Sequence, residues 1–150
     1  MQTEGKVIQQ EIKELINTAD SIYRQIREMK AEEITAGIDL LLLKIAAWQM
    51  RCGKCLDRAN ERLEDLSGPS AKQDSFHVQT ADERQILLQG VEAEREKILI
   101  QQCIGTANLE AKNMELLMDV LKNTKAAAEQ ERLSSHVRRV RSLAGALKRG

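Results

Sequence analysis

Residues 34–66 read ITAGIDLLLLKIAAWQMRCGKCLDRANERLEDL, and they hold the densest run of large apolar side chains together with the only tryptophan. Two apolar stripes, each built from spacings of four and three residues, overlap in this stretch. The first comprises Ile34, Ile38, Leu41, Ile45, Trp48, Cys52, Cys55, Ala59, Leu63 and Leu66. The second comprises Ala36, Leu40, Leu43, Ala47 and Met50. At about 100° per residue the two stripes lie on roughly opposite sides of one helix.

The same two-sided pattern occurs in the second half of the chain. One stripe there comprises Ile86, Ala93, Ile100, Ile104, Ala107, Ala111, Met114, Met118 and Leu121. The opposite side carries Val91, Ile98, Leu109, Leu116 and Val120. A single hairpin would leave one face of each helix in water, which is unfavourable for an apolar face. The pattern therefore predicts either that the legs break and fold back into a bundle or that hairpins associate with a partner.

The composition favours helices over strands. The chain is 42% hydrophobic but only 2% aromatic, with one proline and eight glycines. Such a balance, rich in Ala, Leu, Glu, Lys and Arg, is typical of long helices. We predict an all-α fold: a long antiparallel helical hairpin or coiled-coil bundle with a short basic C-terminal helix.

Helix boundaries are marked most clearly near the middle of the chain. Ser67-Gly68-Pro69-Ser70 is a stop signal, because Gly accepts a left-handed cap and Pro cannot continue the helix. Thr80-Ala81-Asp82-Glu83 fits a capping box that starts the next helix. We predict one domain over 1–150, with a first leg at 6–66 (a break near 30–37 being left open), a connector at 67–80, a second leg at 81–131 and the C-terminal helix at 132–150.

Charge is balanced overall but unevenly distributed. Residues 67–131 carry seven basic and eleven acidic side chains, whereas residues 132–150 carry six basic ones and no acidic one. The six basic residues surround an apolar strip of Leu133, Val137, Val140, Ala144 and Leu147, and they are Arg132, Arg138, Arg139, Arg141, Lys148 and Arg149. Such a helix can dock in a partner's groove, lie on an anionic membrane, contact nucleic-acid phosphate, or pack on the acidic body of its own chain.

Cys52-Gly53-Lys54-Cys55 forms a CxxC motif, which is found in thiol and zinc proteins. Zinc would need further ligands from Cys103, His77 or His136. A hairpin turning near residue 74 would place Cys52 opposite about residue 96, so that Cys103 lies roughly 10 Å further along. The motif falls within an apolar stripe, and this favours cysteines that act as small buried apolar residues.

No other constellation points to catalysis. The sequence has no P-loop, GxSxG or HExxH motif, and its clustered carboxylates, such as Glu61, Glu64 and Asp65, alternate with basic residues as on solvated helix faces. Phe76 and His77 stand together in the connector, either as a recognition tip or folded back on the hairpin end. We expect no cofactor, no metal and no small-molecule substrate. Three cysteines without a disulfide framework, and no signal-peptide pattern or membrane-spanning run, predict a cytoplasmic protein.

The sequence therefore predicts a non-enzymatic interaction or assembly protein, such as a coiled-coil adaptor, a scaffold, or a stalk or chaperone subunit of a secretion system. It would bind another helical protein or a second copy of itself, with charged flanks setting register and partner choice. The expected interface residues are Leu40, Leu43, Ala47 and Met50 on one face of the helix and Leu41, Ile45 and Trp48 on the other. Two alternatives remain open: a membrane or nucleic-acid binder acting through residues 132–150, and a thiol or zinc protein using the CxxC.

Overall fold

The computed structural model describes the backbone of residues 3–67 and 81–149, and the side chains of residues 3–67 and 87–146. This part of the chain is all-α and consists of three helices, which confirms the all-α part of the prediction. They are α1 (Glu4–Glu28), α2 (Ala31–Leu66) and α3 (Ala81–Arg149). The predicted connector, with Phe76, His77 and the Thr80 of the capping box, falls outside the described residues.

The first leg is interrupted at Met29 and Lys30, at the start of the range 30–37 in which a break was left open. Both residues have extended backbone angles, with ψ near 143° and 157°. A two-residue connection of this kind is short enough to join antiparallel neighbouring helices. The second helix then begins with Glu32 and Glu33 in its first turn, where negative charge suits the helix dipole. In the sequence, the apolar repeat that runs through Ile22, Ile26 and Met29 is interrupted at Glu33, close to this break.

Helices α1 and α2 lie side by side in opposite directions. The indole Nε1 of Trp48 donates a 2.7 Å hydrogen bond to the carbonyl oxygen of Leu15. Further along, the Arg58 guanidinium pairs with Glu4 at 2.9 Å and with Glu11 at 2.7 Å. Positions late in α2 therefore face positions early in α1, as a fold-back at residues 29–30 requires.

Helix α3 packs against both of the others, antiparallel to α2 and parallel to α1. The Arg62 Nε lies 2.5 Å from a Glu96 carboxylate oxygen, and Lys125 Nζ lies 2.7 Å from Asp39 Oδ1. Tyr23 Oη of α1 donates a 2.7 Å hydrogen bond to Glu110 Oε1 of α3. Burial and this acceptor carboxylate both raise the pKa of the Tyr23 hydroxyl above its ordinary value.

The core is a single apolar column between the three helices. Each helix contributes one stripe with alternating spacings of four and three residues, and no polar or charged residue is buried among the described side chains. The close approach of α1 and α3 depends on Gly5, where a Cβ atom would come within 2.6 Å of Glu96 Cγ. The buried side chains are Ile8, Ile12, Leu15, Ala19, Ile22, Ile38, Leu41, Ile45, Trp48, Cys52, Cys55, Ala59, Ile100, Cys103, Ala107, Met114 and Leu121.

The C-terminal segment differs from the prediction of a separate short helix over 132–150. Helix α3 continues without a break for 69 residues, to Arg149. The preceding Ala126-Ala127-Ala128 segment is made of the best helix-forming residue, and neither Ser134 nor Ser135 stops a helix. Helix α3 is therefore roughly 100 Å long at 1.5 Å per residue, and it extends beyond the bundle.

Candidate interaction surface

The two stripes of α2 have different surroundings. In the first, Leu41 is 1% exposed, Trp48 is 2% exposed and Ile45 is fully buried. In the second, Leu40 is 57%, Leu43 67% and Met50 66% exposed, and Ala36 and Ala47 are exposed as well. We call the second stripe, Ala36, Leu40, Leu43, Ala47 and Met50, the outer face of α2.

The seven residues expected at a partner interface therefore divide between two environments. Leu41, Ile45 and Trp48 lie in the core and contact their own chain, so they are not available at the surface of the folded protein. The other four, Leu40, Leu43, Ala47 and Met50, lie in water on the outer face of α2.

The outer face of α2 is an apolar strip about two heptads long, which corresponds to roughly 20 Å of helix. Charged residues bound it at both ends, with Glu32 and Glu33 before it and Lys54 after it. Along its sides lie Asp39, which is paired with Lys125, and Lys44, whose Nζ donates a 3.1 Å hydrogen bond to Gln25 Oε1. An apolar strip flanked by charges in this way has the residue pattern of a helix–helix seam.

Helix α3 also carries apolar side chains on the side facing away from the core. Ile98, Leu109, Leu116 and Val120 are all exposed, and the intervening positions include Gln102, Gly105, Lys112 and Asn113. Because polar residues interrupt this side of α3, it forms a less continuous seam than the outer face of α2. Leu87 and Leu88 are exposed as well, although they belong to neither of the stripes found in the sequence.

The three cysteines are free thiols that are buried in the core. Burial raises the pKa of the Cys52 and Cys103 thiols, and burial together with a hydrogen bond to Glu11 raises the pKa of Cys55 to about 12. The thiolate is the nucleophile and the metal ligand, so these shifts disfavour both chemistries at neutral pH.

The expected register around the cysteines is wrong. The Sγ atom of Cys52 lies 3.9 Å from the carbonyl oxygen of Ala107, and not opposite residue 96. The reason is that the first turns of α3, from Ala81 onward, extend beyond the C-terminal end of α2. The end of α2 is therefore paired with later residues of α3, and Arg62 faces Glu96. Cys103 lies one helical turn before Ala107, the residue beside Cys52. Cys103 is therefore closer to Cys52 than expected.

A zinc ligand set is not assembled in the described part of the chain. His136 lies 33 residues beyond Cys103 on the same helix, roughly 50 Å away by helical rise. Among the described side chains, those of residues 3–67 and 87–146, no group of three or more His, Cys, Asp or Glu is placed to hold a metal ion. His77, the remaining candidate ligand, is outside the described residues.

We expect all three thiols to react slowly with a thiol reagent such as Ellman's reagent at pH 7, and to react fully in concentrated guanidinium chloride. The reason is that burial keeps them protonated and out of reach until the core opens. The measurement is the release of thionitrobenzoate with and without denaturant. A rapid stoichiometric reaction in the folded protein, or a bound zinc ion, would contradict this reading of the cysteines.

As far as its side chains are described, to Ala146, the basic C-terminal segment is not packed on the acidic body of the chain. Every side chain from Glu129 to Ala146 is exposed, including Arg132, Arg138, Arg139 and Arg141. The side chains of Leu147, Lys148 and Arg149 are outside the described residues. Within residues 3–67 and 81–149, no helix has a segment that is long and apolar enough to cross a membrane.

No protein-family model matches this sequence, and comparisons with curated proteins and with solved structures found no similar protein.

Proposed function

We propose that this protein is a non-enzymatic helical assembly component that works by burying the outer face of α2 against a helix of a partner. The observation that carries the proposal is the contrast within one helix. The inward stripe of α2 is satisfied by α1 and α3, whereas Leu40, Leu43 and Met50 remain more than half exposed on the opposite side. A strip of large apolar side chains kept in water is characteristic of an interaction surface.

The geometry of the strip favours a helix as the bound element. Its alternating spacings of four and three residues are those of a coiled-coil seam, in which side chains of one helix fit between those of another. Fully burying a Leu or Met side chain is worth about 1.5–3 kcal/mol, so three of them supply enough to offset part of the cost of association. Asp39 and Lys44 beside the strip are placed to set register by charge.

In this proposal the protein is a helical bundle of the coiled-coil type that acts as an adaptor, scaffold or stalk in the cytoplasm. The partner is a second copy of the chain or another helical protein with a matching apolar strip. Self-association is tested first, because it needs only the purified chain.

We expect Leu43→Glu combined with Ala47→Glu to weaken self-association more than about 100-fold, because two carboxylates in an apolar seam lose hydration without gaining partners. The measurement is analytical ultracentrifugation over a range of protein concentrations, with the fold followed by circular dichroism. Asn17→Glu combined with Asn60→Glu is the charge-matched control, since both positions are exposed and lie away from the outer face of α2.

The control variant is expected to assemble like the wild type. If the wild type is monomeric at all concentrations and the double variant behaves identically, self-association through this face is wrong. If the double variant unfolds instead of dissociating, then the face belongs to an internal core.

A further inference from the structure

The last part of α3 is a free-standing helix. The last pairing between α3 and the rest of the chain in the described residues is that of Lys125 with Asp39, and the last buried residue of α3 is Leu121. Every residue from Glu129 to Ala146 is exposed. We call residues 129–149 the projecting helix; it is a surface separate from the outer face of α2.

Its apolar residues form a broad face and not only a seam. Leu133, Val137, Val140 and Leu143 are all large and exposed, with Leu143 64% exposed. With Ala144 they cover an arc of roughly 120° around the helix at 100° per residue. Leu143 widens this face beyond the strict heptad positions, and the exposed His136 is the only polar side chain of residues 132–146 within it.

Arginines border this face on both sides. At 100° per residue, Arg132 and Arg139 lie roughly 80–100° from its centre on one side, and Arg141 lies roughly 100° from it on the other. No acidic residue occurs after Glu131. The face is therefore apolar in the middle and positively charged along both edges.

An apolar face with arginines along both edges is better suited to binding a flat surface than to binding a single partner helix. In a two-helix seam through Leu133, Val137, Val140 and Ala144, only the positions directly beside the seam reach the partner's charges. Arg141 has such a position, whereas Arg132, Arg138 and Arg139 lie roughly 110–130° from the seam and point away from a partner helix. On a flat surface, long arginine side chains at both edges of the face reach the polar boundary.

Two other kinds of binding partner, a nucleic acid and a second copy of the chain, would each leave part of the projecting helix unsatisfied. A nucleic-acid backbone would pair with the arginines but would leave the four large apolar side chains in water. The same segment of a second copy would bring arginines against arginines, since the projecting helix has no acidic residue beyond Glu131. An anionic lipid bilayer offers negative charge at its surface and an apolar phase directly below it, so it satisfies both parts of the face.

We propose that the projecting helix binds an anionic lipid bilayer, lying in the interface with Leu133, Val137, Val140 and Leu143 inserted and with Arg132, Arg139 and Arg141 at the headgroups. Because α3 is continuous, the bundle lies beyond the N-terminal end of the membrane-bound segment. Binding weakens as salt rises, because the arginines act at the surface, where charges are screened.

The test is co-sedimentation of the full chain with sucrose-loaded phosphatidylcholine vesicles, with and without 30% phosphatidylserine. Wild-type protein is expected to bind the anionic vesicles at least about tenfold more tightly than the neutral ones. Each arginine near such a surface contributes a factor of about five, so Arg139→Gln combined with Arg141→Gln should weaken binding about 30-fold. Val140→Ser combined with Leu143→Ser should weaken it at least about tenfold.

Lys112→Gln combined with Lys122→Gln is the matched control, because it removes the same charge from exposed positions of α3 on the bundle. It is expected to bind within about twofold of the wild type, and all variants should keep the wild-type circular dichroism. Equal binding to neutral and anionic vesicles, or binding unaffected by the arginine pair, would overturn the proposal. So would an absence of vesicle binding, whether or not the protein binds duplex DNA or an acidic helical peptide.

Discussion

Leu41→Asp is expected to unfold this protein, whereas Leu40→Asp, one residue earlier, is expected to leave the fold intact. Leu41 is 1% exposed in the core, and Leu40 is 57% exposed on the outer face of α2. A carboxylate at position 41 would lose its hydration among side chains that offer no hydrogen bond. Changes that bury an unpaired charge belong to the small class that costs more than about 4 kcal/mol. At position 40 the carboxylate stays in water, and the change should be within about 0.5 kcal/mol plus a small loss of helix propensity.

The measurement is urea-induced unfolding of both variants, followed by far-ultraviolet circular dichroism. The two variants carry the same substitution, Leu to Asp, at adjacent positions. Burial would raise the pKa of the new carboxyl at position 41, so its penalty should be greatest well above pH 4 and should shrink as the pH falls toward 4. Two variants with similar midpoints would mean that the inward and outward faces of α2 have been assigned incorrectly.

Trp48→Ala is expected to lower the free energy of unfolding by about 4 kcal/mol. Trp48 is the largest buried side chain, and its indole N–H donates to the Leu15 carbonyl oxygen across α1 and α2. Truncation to alanine would leave a cavity at the contact between these helices, and such a change of a large aromatic residue typically costs 3–5 kcal/mol. The measurement is guanidinium chloride unfolding followed by circular dichroism at 222 nm, since the tryptophan signal itself is lost.

Trp48→Phe separates packing from hydrogen bonding at this site. It keeps much of the apolar volume but removes the N–H donor, so it should cost roughly 1–2 kcal/mol. Leu43→Ala serves as the surface control on the same helix and should change stability by no more than about 0.5 kcal/mol. A loss at Trp48→Ala no larger than that at Leu43→Ala would show that the α1–α2 contact does not stabilise the fold.

Helix type and helix faces could be predicted well from the sequence. Gly68 and Pro69 mark the end of α2, which the structure places at Leu66 with Ser67 as its cap. The two stripes of α2 could be distinguished from the sequence because a helix fixes the angle between successive side chains, independently of what surrounds the helix. The assignment of Leu41 and Leu40 to different stripes follows from that local geometry, whichever stripe is then buried.

The register between helices could not be predicted, and this error misplaced Cys52 by about three turns of α3. Apolar periodicity fixes which side of a helix faces the core, but it does not fix how far one helix slides along another. The axial position is set by particular contacts between distant residues, such as Gly5 against the Glu96 side chain and Arg62 against the Glu96 carboxylate. Neither contact has a signature within a single helix.

The sequence by itself determined that the chain is helical, which apolar stripes it carries and where its basic charge is concentrated, because these are local properties of composition and spacing. Only the tertiary structure decided which stripes remain in water. The fold-back at Met29 and Lys30 brings α1 onto α2 and satisfies the inward stripe, while nothing in the described chain covers the outer face of α2. The unbroken helix α3 carries its basic end past the bundle, since α1 and α2 are too short to accompany it. Burial depends on which distant segments meet, and that is a property of the whole fold.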